Sequence, residues 1–89
     1  MAGPQEVPPA SFPMLVSMLA TQAAMDLGQL ENPVTKKKEI NLDFAKHLID
    51  TLGVLETKTQ GNLTNEEAAV LTAVLTELRF GFVAAKGGG

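Results

Sequence analysis

The chain has no cysteine, no tryptophan and no tyrosine, and it carries one histidine and four phenylalanines in 89 residues. Without cysteine there is no disulfide framework and no thiolate metal site. One histidine, His47, excludes a multi-histidine metal site within the chain and leaves any catalytic triad resting on that residue alone. A net charge of -3 and a pI near 4.9 argue against nucleic-acid binding, which normally needs a basic excess. The scarcity of aromatic rings leaves little to stack on bases or sugars. A glycine-rich phosphate loop, a nucleophile elbow and a zinc-binding helix motif are also lacking. Together these absences lead to the expectation of a protein that is not an enzyme and takes no cofactor, metal or nucleic acid.

At this length a single core leaves only about 3–5 kcal/mol of stability unless a disulfide, a metal or a second subunit adds to it. With the first two removed, good helix packing or oligomerisation must supply the rest. The longest run without charge, Val7 to Met25, is nineteen residues and raises the question of a membrane span. Pro8, Pro9 and Pro13 interrupt it, and Ser11, Ser17, Thr21 and Gln22 dilute it. No Lys or Arg precedes it, which fits a secretory signal poorly. The expectation is a soluble, cytoplasmic chain that does not enter a membrane.

The positive features are helical. Proline-rich residues 1–10 form an expected flexible arm, residues 11–84 an all-α three-helix domain, and residues 85–89 a disordered Gly-rich tail. The helices are expected at about 11–28, 42–59 and 65–83. Ser11 and Asn41 stand where N-caps are needed, and Gly28 where a helix stops. The stretch KTQGNLTNEE, Lys58 to Glu67, looks like a motif but suits a corner. Gly61 supplies a left-handed residue, and Thr64 with Glu67 spells the reciprocal capping box. Leu63 is placed to staple against Ala68. Asn62-Leu63-Thr64 matches a glycosylation sequon, which reads as chance without an export signal.

Projection at about 100° per residue shows which faces must be buried. On the second helix Phe44, Ala45, Leu48, Ile49, Leu52 and Leu55 form one stripe. On the third, Ala68, Val70, Leu71, Val74, Leu75, Leu78 and Phe82 do the same, with Ala69, Ala73, Phe80 and Val83 as a weaker apolar strip behind. The first helix is apolar nearly all round. Phe12, Val16, Leu19, Ala23 and Leu27 share one side, Met14, Met18 and Met25 another, with the small residues Ser17, Ala20, Thr21, Ala24 and Gly28 between. Two short partner helices cannot cover all of that, so either the arm before Ser11 folds back over the spare face or a second copy of the chain covers it. The expectation is a dimeric helical bundle or higher homo-oligomer, touching through Met14, Ser17, Met18, Ala20, Thr21, Ala24, Met25 and Phe80.

Further residues carry a resemblance. They are S-M-L-A-T-Q-A from Ser17 to Ala23, Leu27-Gly28, Asn32-Pro33 with Thr35, Ala45-Lys46, Ile49-Asp50, Leu52, and K-T-x-G-N-L-T-x-E-E from Lys58 to Glu67. Leu71, Leu75, Leu78-Arg79 and Phe82-Val83 complete the set. In these the chain resembles the small bacterial proteins grouped as domain of unknown function 1844. The resemblance implies a compact helical bacterial protein and brings no activity, cofactor or catalytic residue with it. Lys36 departs from the pattern, since relatives often carry glycine after the threonine; this leaves the turn of the 29–41 connector open.

The candidate chemistry is sparse. His47 lies near Asp43 and Asp50 and suits either a weak ligand set or a solvated face. Lys36-Lys37-Lys38 suits an anion contact or a solvated loop, and Arg79 a cross-dimer pair or plain exposure. The expected function is a non-enzymatic, homo-oligomerising interaction module. The alternative is an adaptor that takes a helix of another protein on the Met-lined face of the first helix.

Overall fold

Ser11 opens the first helix. Its backbone is extended, its hydroxyl accepts the Met14 N–H at 3.2 Å, and Pro13 sits in the first turn, where helical N–H groups lack partners anyway. The computed structural model, which describes residue 7 and residues 9–87, places this helix, α1, at Phe12–Asp26. Val7, Pro9 and Ala10 are exposed and irregular; the other residues of the expected arm lie outside the described residues.

The end of α1 is fully capped. Gly28 takes φ +79 and donates to the Met25 carbonyl, while Gln29 donates to the Ala24 carbonyl, the paired bonds of a Schellman motif. The Asn41 N–H then reaches the Asp26 carbonyl at 2.7 Å, and Leu27 and Ile40 form an isolated antiparallel bridge. The connector thus returns to the point where it left.

The turn within the connector is built by Asn32. Its side-chain oxygen accepts the N–H groups of Val34 at 2.8 Å and Thr35 at 3.3 Å, and its own N–H and carbonyl bond Lys37 and Lys36. The Thr35 hydroxyl accepts the Lys37 N–H. This geometry forces Lys36 to φ +62, where a side chain is strained and glycine is not. The lysine is therefore the unusual residue in an otherwise conventional turn.

Asn41 caps α2 (Leu42–Lys58) by accepting the Phe44 N–H at 3.1 Å. The corner after it behaves as the sequence suggests, with one difference. Thr59 is the C-cap, and Gly61, at φ +84, sits two residues beyond it and turns the chain toward α3. The Thr64 N–H donates to Glu67 Oε1 at 2.9 Å and the Glu67 N–H to Thr64 Oγ1 at 3.1 Å, closing the capping box of α3 (Asn65–Gly87). Leu63 is half-buried against the core. Thr64→Ala should lower the unfolding free energy by about 1 kcal/mol, and Gly61→Val by about 1–2 kcal/mol. No atom lies within 4 Å of a Cβ at Gly61, so only backbone strain acts there. Paired urea titrations check both values.

The third helix runs past its expected end near residue 83. Ala84 and Ala85 favour helix, Ala85 packs on the core, and Lys86 suits the negative end of the helix dipole. Residues 85–87, expected in the tail, are helical; residues 88 and 89 lie outside the described residues.

All three helices touch one another. Val16, Ala23 and Leu27 meet Ala45, Leu48, Ile49 and Leu52 from α2 and Leu71, Leu75 and Leu78 from α3 in one core. Phe44, expected in the α2 stripe, is instead exposed: it stands at the stripe's edge and stacks on His47 with ring centroids 5.8 Å apart. Ala68 of the α3 stripe is exposed too, and Val70 lies at its open edge. Among the described residues no strand forms, so the protein is all-α. The fold is a slab of 41 × 38 × 16 Å with a radius of gyration of 14.6 Å, against about 12 Å for an ordinary domain of this length.

Candidate functional site

Helix α1 lies against α3 along the margin of its small-residue strip and leaves a groove beside the contact. The groove encloses about 600 Å³. Ser17, Ala20, Thr21 and Ala24 form its α1 wall, while Val70, Val74, Glu77 and Gly81 face them from α3. Gln29 and Leu30, just past the Gly28 cap, close one end, and Pro13 stands at the other. Phe80 stands on the rim and is 79% exposed.

Five residues expected at a contact, Ser17, Ala20, Thr21, Ala24 and Phe80, are thus gathered around one feature. Met14, Met18 and Met25 are not. On a helix that advances about 100° per residue they lie further round α1, past the groove wall. Met14 and Met25 are half-buried, and Met18 alone among them is mostly exposed, at 63%.

Sequence projection missed the far wall of the groove. Projection places Val70 and Val74 wholly in the core stripe and gives Gly81 no role. Gly81 did carry a signal: glycine inside a helix costs about 1 kcal/mol relative to alanine, so its presence there points to a close approach. A Cβ at Gly81 would stand 2.5 Å from Gln29 Nε2 and 3.3 Å from Leu27 Cδ1. The glycine lets the connector lie on α3 and so sets the groove's closed end.

The other candidates are scattered. His47 is exposed and stacks on Phe44 rather than pairing with a carboxylate. Asp50, one of its expected partners, is taken by Lys46 at 2.7 Å on the exposed face of α2. That hydrogen bond and the carboxylate charge raise the Lys46 pKa from its ordinary value. A raised lysine pKa favours the folded state below the ordinary value, and the benefit fades only as pH climbs through the raised one. Arg79 lies over Gly53 of α2, where a Cβ would stand 3.5 Å from its guanidinium. It borders the α2–α3 seam, away from the α1–α3 groove. Lys36, Lys37 and Lys38 are all exposed. Among the described residues no group of three His, Cys, Asp or Glu could hold a metal ion. His47→Gln should leave the melting temperature and the solution mass unchanged within error, because an exposed ring on a solvated face contributes a few tenths of a kcal/mol at most.

Helix α3 is long and apolar enough to cross a membrane by length and composition. Glu77 and Arg79 interrupt it, so it does not stand out as a long uncharged run in the sequence. Leu71, Leu75 and Leu78 serve the core, and Phe80 and Val83 point outward.

The profile of the family described as Domain of unknown function (DUF1844) matches residues 9–84, from just before α1 to near the end of α3. No curated protein and no solved structure matches the chain.

Proposed function

Because this chain belongs to the family described as Domain of unknown function (DUF1844), which brings no activity with it, we propose a function from the geometry. The protein acts as a non-enzymatic interaction module that associates with copies of itself through the groove face of α1 and α3. The observation that carries this reading is the groove itself: a strip of small side chains opposite Val70 and Val74, with an exposed phenyl ring at its edge. Small residues let a second backbone or ring come close, and a soluble chain seldom leaves such a face in water. The thin slab and the marginal core expected at this length point the same way. A lipid partner suits the face less well, because Glu77 and Arg79 stand in mid-α3 and each is costly inside a bilayer.

Ala20→Glu tests the reading. Ala20 is half-buried on the groove wall, so a carboxylate there faces the groove and must be desolvated on association. The variant should show a lower solution mass and a lower melting temperature than wild type at equal concentration, checked by light scattering after size exclusion and by thermal circular dichroism. An unchanged mass counts against the groove as the contact.

The adaptor alternative rests on a narrower basis. It needs a broad methionine surface, and only Met18 of the three is mostly exposed. No metal, cofactor, catalysis or nucleic acid enters the proposed function, and the expected site of action is the cytoplasm.

A further inference from the structure

The groove has a knob beside it. The short side chains of Ala20 and Ala24 leave it open in the middle, while Phe80 projects from the rim. The polar fringe is also two-sided. Ser17, Thr21 and Gln29 bring donors, and Glu77, three residues before Phe80 on α3, brings the one carboxylate. A surface that holds both hole and knob, and both donors and acceptor, has the elements that an isologous contact pairs across a two-fold axis.

Resting on the self-association proposed above, we infer that the contact is an isologous dimer in which Phe80 of each copy enters the groove of the other. Glu77 travels with Phe80 and meets the hydroxyls of Ser17 and Thr21 on the second copy, so the one charge in the groove gains hydrogen-bond donors. The sizes agree. An apolar cavity of roughly 150 Å³ already admits benzene, so a groove of about 600 Å³ receives a phenyl ring together with its neighbours on α3. A small apolar ligand in the groove would leave Phe80 in water; the second copy covers both features at once.

Two variants of the full chain separate knob from hole. Phe80→Ala removes the ring and keeps the groove. Thr21→Phe blocks the groove from an exposed position and keeps the ring. Each alone should raise the dimer dissociation constant by about 100-fold or more, as truncation or blockage of a central aromatic anchor does, while the helical circular dichroism stays at the wild-type level. Mixed in equal amounts, the two should form a hetero-dimer that is tighter than either variant's homodimer. In that pair the intact groove of Phe80→Ala receives the Phe80 of Thr21→Phe. Analytical ultracentrifugation with one variant labelled, or native mass spectrometry, measures this. A wild-type dimer whose affinity neither variant changes overturns the reciprocal contact and leaves self-association standing. A weakening in both without recovery in the mixture also overturns it. A wild-type monomer overturns both.

Discussion

Leu52→Ala is expected to leave most of the chain unfolded at 25 °C. Leu52 is fully buried in the middle of α2 and belongs to the core shared by all three helices. Truncating a buried leucine to alanine costs about 2–5 kcal/mol through lost transfer energy and the cavity left behind. Against a single core of roughly 3–5 kcal/mol, that loss removes most or all of the margin. Leu71 and Leu75 occupy equivalent positions on α3 and should behave alike. The check is helical ellipticity in buffer and through a urea titration, with wild type at the same concentration because self-association adds to apparent stability. A loss below about 1 kcal/mol would mean that the site collapses onto the missing side chain or that the core lies elsewhere.

Gly28→Val should be the most damaging change outside the core, costing about 2–3 kcal/mol. Positive φ strains a β-branched residue by about 1–3 kcal/mol. The added Cβ would also stand 2.8 Å from Ile40 Cγ1, too close for any pair of carbons. The Ile40 side chain must then move, next to the bridge to Leu27 and to the Asn41 N–H that satisfies the last carbonyl of α1. Gly61 provides the internal contrast, since its φ is similar but its surroundings are empty. The unfolding free energies of Gly28→Val and Gly61→Val should therefore differ, with Gly28→Val the lower. Equal losses at the two positions would show that the Ile40 contact is unimportant and that φ alone decides.

The contrast between these glycines shows what was legible in the sequence and what was not. Caps and turns are local chemistry, so Ser11, Gly28, Asn41, Gly61, Thr64 and Glu67 could be assigned from their neighbours, and the structure finds them in those roles. The core of α2 was legible from its stripe, apart from Phe44 at the edge, where a small rotation of the helix decides between burial and solvent. The end of α3 is not legible because the Gly-rich terminus signals a stop, while the helical preference of Ala84 and Ala85 and the core contact of Ala85 carry the helix past it. The connector stayed open because its shape depends on Asn32 bonding several backbone groups at once, and on Lys36 accepting a conformation that lysine disfavours.

The groove was half legible. Projection of α1 alone identifies the wall formed by Ser17, Ala20, Thr21 and Ala24. It cannot tell which side of that wall α3 will occupy, and so it grouped the methionines with it. Where α3 lies is set by long-range packing of Leu71, Leu75 and Leu78 on Val16, Ala23 and Leu27, which no single helix encodes. Phe80 was singled out because it stands away from the main stripe of α3. Its position beside the groove emerges only once the two helices are placed together.

The mass of the unmodified protein in solution is the most direct measurement. Light scattering after size exclusion at micromolar concentration should report twice the 9.4 kDa of one chain, with a helical circular dichroism spectrum from the same fractions. A folded, stable species at 9.4 kDa across that range would contradict self-association.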